Sequence, residues 1–152
     1  MRKLFMAEME AVGDDLVEMA TLVNRAMKQA RVALETQDTG LAETVIVQDA
    51  RIDYLQNTLD ERTIELLLLQ NPVATDLRLL VAALRVSSSM ERMGDLARHV
   101  AALVRLRYPA SLIPEEARAE VEEMAELTVS VGEHLQRLMT SYDLAEGREI
   151  VK

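Results

Sequence analysis

Apolar side chains recur at three- and four-residue spacing along most of the chain, the period of a helix that buries one face. From Lys3 to Thr36 the stripe runs Met9, Val12, Leu16, Met19, Val23, Ala26, Ala30 and Leu34, which predicts a first helix. The segment TQDTG interrupts it, with Gly40 as the expected hinge. A second helix is predicted from Leu41 to Gln70, with Leu41, Val45, Ile52, Leu59, Thr63 and Leu66 on one side. QNP ends that pattern. Asn71 suits a helix N-cap and Pro72 the first position of a helix from Pro72 to Arg107. YPASLIP, with two prolines, forms the longest break. A fourth helix is expected from Pro114 to Ser141, and a fifth segment opens at Asp143. Three long helices joined by short turns run up, down and up. The fold class is therefore all-α, an antiparallel three-helix bundle.

A faint repeat extends this picture. At an offset of 105 residues, Met19 and Leu22 fall on Met124 and Leu127, Leu34 on Met139, and Asp38 on Asp143. Val45 and Ile46 fall on Ile150 and Val151. The division expected is residues 1–110 as one bundle and 111–152 as the opening of a second. On that register the counterpart of Asp49 lies past position 152, so the sequence reads as stopping part-way through the second bundle.

On a helical wheel, Leu77, Leu84 and Ala102 of the third helix share one direction. Glu91 and Asp95 fall within about 20° of Leu84, and His99 about 60° away. An apolar face thus carries two carboxylates, and burying them unpaired would be costly. On the second helix, Asp49 and Asp53 stand at the margin of the stripe. Counted from the turn at Asn71 and Pro72, Asp53 and Glu91 lie at matching heights. Four carboxylates at one level can chelate a hard cation. His99, four residues after Asp95, has spacing compatible with a fifth ligand. The alternatives are salt bridges with Arg51, Arg92 and Arg98, or a solvated groove. Spacing alone decides little in a chain with 26 acidic residues. His134 has no carboxylate partner on its own face and reads as structural or surface. Leu79, Val86, Met90, Met93, Val100 and Val104 form a second apolar stripe on the third helix, suited to the second bundle or a dimer mate.

Composition narrows the function. The net charge of -9 argues against nucleic acid, whose phosphates need a basic stripe. There are no cysteines, hence no disulfides and no thiolate metal sites. The start, MRKLFMAEMEAVGDD, turns acidic too early for a signal peptide, and runs such as LLVAALRV are too short to span a bilayer. No phosphate-cradling glycine loop or nucleophile–histidine pair occurs. A di-iron bundle needs Glu-x-x-His, but Leu96 and Val131 precede His99 and His134 by three.

The stretch LLLLQNPVATDLRLLVAALRVSSSMERMGDLARHVA, Leu66 to Ala101, resembles the PhoU family of phosphate-uptake regulators. There a turn reading Q-x-P-V-A-x-D-L-R leads to E-R-[IM]-G-D and an Ala-x-Asn tail. DARID on the second helix resembles the family's acidic motif. The resemblance implies a cytoplasmic, non-enzymatic, often dimeric negative regulator of phosphate uptake and phosphate-starvation signalling. Its implied partners are the ATPase subunit of the phosphate ABC transporter and a membrane sensor histidine kinase. It would be peripheral to the membrane through those partners only. The resemblance also implies a metal site, iron or zinc first and magnesium or manganese next, on Asp49, Asp53, Glu91 and Asp95. His99 stands where the family often has Asn, which adds a possible ligand. Two other readings remain open from the residues: a metal-storage or metal-dependent hydrolytic bundle, and a metal-free adaptor of another phosphate transporter in which the carboxylates pair with arginines.

Overall fold

A computed structural model describes residues 2–152. The chain forms α1 (Arg2–Thr36), α2 (Thr39–Gln70), α3 (Ala74–Arg107), a 3-10 turn (Glu115–Ala117), α4 (Arg118–Ser141) and α5 (Leu144–Val151). The first three helices form the up-down-up bundle that the periodicity predicts. At 1.5 Å per residue each is about 50 Å long. α4 packs along α1, and α5 folds back on α4.

The turns follow local chemistry. Gln37 takes the left-handed conformation, φ 51°, and Asp38 then caps α2 by accepting a hydrogen bond from the Leu41 amide at 2.9 Å. Gly40 is not the hinge. It lies in the first turn of α2. Asn71 does not open α3 either. It closes α2 in the left-handed conformation, φ 43° and ψ 53°, where Asn is second only to Gly. Pro72 and Val73 then run into α3, which begins at Ala74. The fourth helix begins at Arg118 rather than Pro114, behind the single 3-10 turn.

In the bundle, α1 buries Val12, Leu16, Met19, Val23, Ala26, Ala30 and Ala33. They meet Val45, Ile52, Leu55, Leu59 and Leu66 of α2. Fully buried side chains such as Met19, Ile52, Leu59 and Leu80 each contribute about 1.5–3 kcal/mol. The buried line of α3 differs from the predicted one. It runs Leu80, Ala83, Ser87, Met90, Gly94, Ala97, Ala101 and Val104. Leu77 is 40% exposed and Ala102 is exposed. The buried direction is turned about 100° from the Leu77–Leu84–Ala102 line at 100° per residue. The reason is size: the small residues mark where helices approach most closely. A Cβ on Gly94 would sit 3.0 Å from Ile52 Cδ1.

That rotation moves the carboxylates. Glu91 and Asp95 lie half-buried on the flank of α3, not in the centre of its packed face. Asp49, expected at the margin of α2, is buried among the core positions of that helix.

The second apolar stripe of α3 faces α4 and α5. Met93 and Val100 line a groove of about 520 Å³ with Met27 of α1 and Val121, Met124 and Val131 of α4. Val86 and Met90 line its continuation with Leu135, Met139 and Ile150. Leu79 of the same stripe is exposed.

A candidate carboxylate–arginine site

Asp49 and Asp53 reach the site from consecutive turns of α2, and Glu91, Asp95, Arg98 and His99 from α3. The antiparallel helices put Asp49 opposite Gly94. A Cβ at Gly94 would come within 3.3 Å of Asp49 Oδ1, so glycine leaves room for the carboxylate. The Asp49 side chain is 8% exposed and Asp53 is open to solvent.

Arg98 joins the two helices. Its Nε forms an ion pair with Asp49 Oδ2 at 3.0 Å, and its Nη2 donates to Asp95 Oδ1 at 2.5 Å. The other oxygen of Asp95 accepts from Arg92 Nη1 at 3.0 Å. His99 Nε2 lies 3.5 Å from Asp95 Oδ1, and half of the imidazole side chain is exposed. Both carboxylate oxygens of Asp95 are thus held by guanidinium groups, a charge-assisted arrangement. The Arg98 hydrogen bond holds the Asp95 carboxyl below its ordinary range. Asp49 is pushed up, first by burial and then by the Asp53 charge, while Arg98 pulls the other way.

Asp49, Asp53, Glu91, Asp95 and His99 would be the ligands of a metal ion here. As arranged they do not fit one. The Arg98 guanidinium occupies the space between Asp49 and Asp95, and a metal there needs the same oxygens. Asp53 and Glu91 do not converge on that point: among the described residues no three His, Asp or Glu side chains are grouped to hold a metal. Of the three expected arginines, Arg92 and Arg98 do pair here. Arg51 instead binds Glu18 of α1 at 2.8 Å and lies over the Tyr54 ring.

Two turns nearer the α2–α3 loop, Gln56 donates to Asp60 at 3.2 Å. Burial raises the Asp60 carboxyl, opposed by the Ser87 hydroxyl.

The comparisons with known proteins agree with one another. A family model described as the PhoU domain matches residues 16–104. The chain belongs to the PhoU family. Over 150 residues it is 36% identical to the Mycobacterium tuberculosis phosphate-specific transport system accessory protein PhoU homolog 2, covering 99% of this chain and 70% of that one. It is 33% identical to PhoU homolog 1 of the same organism, covering 99% and 68%. The crystal structure of the phosphate transport system regulatory protein PhoU from Streptococcus pneumoniae superposes with a TM-score of 0.81 at 25% identity, covering 96% of this chain and 68% of that one. The PhoU match includes every residue of the carboxylate–arginine site.

Arg98 is the member of this PhoU site that wheel and spacing did not single out. Its signal was present: Asp95 and Arg98 stand three apart, a helical ion-pair spacing. A polar group elsewhere has no signal in the sequence pattern. Asn24, buried in α1, donates to Gln136 Oε1 of α4 at 2.5 Å, and Gln136 donates to Thr21 at 3.3 Å. His134 has a partner after all. Its Nδ1 lies 2.6 Å from Glu146 Oε2, supplied by α5 rather than by its own helix.

Proposed function

We propose that this PhoU-family chain is a non-enzymatic negative regulator of phosphate uptake and phosphate-starvation signalling. It acts as an adaptor between the ATPase subunit of the phosphate ABC transporter and a sensor histidine kinase. The proposed setting is the cytoplasm, as a homodimer, reaching the membrane through its partners. The observation that carries this reading is the match along 99% of the chain to proteins named as accessory to the phosphate-specific transport system. Among the described residues no helix is long and apolar enough to cross a membrane, which is consistent with a peripheral role. Of the metal-bound and metal-free forms of the adaptor, the Arg98 contacts favour the second.

The test is genetic. The gene is deleted in its host, and a phosphate-starvation reporter such as secreted phosphatase is assayed in phosphate-rich medium. The expected result is high reporter activity that the restored gene returns to low. An unchanged reporter would assign the repressing role to another protein.

A further inference from the structure

We propose that Arg98 is the resident cation of this site, standing in place of the metal ion that the family resemblance implies there. Three observations carry the inference. First, one guanidinium edge grips two carboxylates from two helices, at 3.0 Å to Asp49 and 2.5 Å to Asp95. Arg suits this task because its planar fork presents paired donors in a fixed geometry.

Second, the oxygens a metal would bind already face guanidinium cations. A hard or borderline cation binds carboxylate oxygen at about 2.0–2.6 Å. Asp95 Oδ1 already accepts from Arg98 and Oδ2 from Arg92, and Asp49 Oδ2 is ion-paired with the Arg98 guanidinium at 3.0 Å. A metal ion on these atoms would also lie against the guanidinium, a like charge at close range.

Third, Asp49 is the buried carboxylate of the group, so it is the one that most requires a counter-charge. Asp53, Glu91 and His99 are reachable by water, which can solvate them. A buried carboxylate without a partner is strongly destabilising, whereas one held by a guanidinium is tolerated. The guanidinium reaches Asp49 from a side chain that is 36% exposed. It therefore has a way out, and the competition between arginine and metal can be measured.

The chain is produced in medium supplemented with iron and zinc salts and purified without chelator. Its metal content is measured by mass spectrometry. Thermal unfolding is followed with added zinc chloride and, separately, with EDTA. The wild type is expected to carry far less than one metal ion per chain, with a Tm that neither addition moves. Arg98→Ala is expected to lower the Tm by several degrees and to acquire a saturable upward shift with zinc, as Asp49 and Asp95 become available. Adding Asp49→Asn to Arg98→Ala should abolish that shift. Arg98→Lys, which keeps the charge without the fork, should stay unresponsive to zinc.

About one metal ion per wild-type chain, removed by Asp49→Asn, would overturn the proposal. So would a wild-type Tm that falls with EDTA, or an Arg98→Ala protein with an unchanged Tm and no zinc response. If Arg98→Ala fails to fold, the wild-type metal content and EDTA response decide the question by themselves.

Discussion

The α1–α2 and α4–α5 turns are near copies, while the helices they join are buried to very different extents. Gln37 and Tyr142, 105 positions apart, are both left-handed, with φ 51° and 55°. The next residues, Asp38 and Asp143, both cap the following helix by accepting from an amide at 2.9 Å. Yet Met19 is fully buried and its counterpart Met124 is 66% exposed. α4 buries only Gly132, Leu135 and Met139. The difference lies in the partners. α1 is enclosed by α2 and α3, while α4 leans on α1 and leaves a groove toward α3. A repeated sequence reproduces its turn because caps are local. Burial is not local, and it needs a third helix.

The contact between α1 and α4 differs in kind as well. Gly132 sits against Asn24, and around this pair are Gln136, a Lys28–Glu133 bridge at 2.9 Å and an Arg31–Glu126 bridge at 3.5 Å. Asn24 Oδ1 is buried without a partner. Polar contacts of this sort select a register more than they stabilise it.

The largest expected effect sharpens the contrast. Leu59→Ala in α2 should cost about 3 kcal/mol in urea unfolding, and Met124→Ala in α4 less than about 1 kcal/mol, because Met124 is largely exposed and its loss opens no closed cavity. Equal costs would break the comparison. Next come the two glycines. Gly94→Ala would press on Ile52 and should destabilise the whole bundle by about 1–3 kcal/mol. Gly132→Val would press on Asn24 and should loosen α4 alone. Amide exchange should then quicken about tenfold or more in α4 and α5 while α2 and α3 hold their protection.

A third effect is set by pH. His134 holds the Glu146 carboxyl below its ordinary value of 4.5. For an acid depressed in the folded state, the stabilisation is complete above the ordinary value and is lost as pH falls through the folded one. Exchange protection in α5 should therefore decline below about pH 4.5 in the wild type. That local decline should be absent in Glu146→Gln. The smallest effect is ionic. Raising NaCl to about 0.5 M should barely weaken the α1–α4 contact, since both bridges lie at the surface and are screened. An α4 that detached in salt would mean that charge, not packing, holds it.

Helix positions were legible in the sequence because their signals are local. The apolar period gave three long helices, and the offset of 105 gave the repeated turn. The wheel misplaced the packed face of α3 because Leu77 and Leu84 outweigh Ala83, Ser87, Gly94 and Ala97 in any sum of hydrophobicity. A close helix contact selects for small size, to which such a sum gives almost no weight. The same error placed Glu91 and Asp95 in the core, whereas Asp49, at the edge of a correctly placed α2 stripe, is covered by the close approach of α3 at Gly94. Turn residues were ambiguous for another reason. Asn suits both a helix start and a left-handed helix end, and only the φ of Asn71 separates them. Pairing by height about the α2–α3 loop did bring the carboxylates of the two helices to one level. Arg98 was one of several available arginines until side-chain reach was known.

The later turns of α1 have little surface that belongs to them alone. Met27 and Ala30 stand where the closed bundle and the α4 groove come together. A substitution there must satisfy two sets of neighbours at once. A change on the outer side of α4 answers to none. Drift over generations should therefore run slowly along α1 and quickly along α4, so that a lineage can remodel the flank of the molecule while its central shaft stays nearly still.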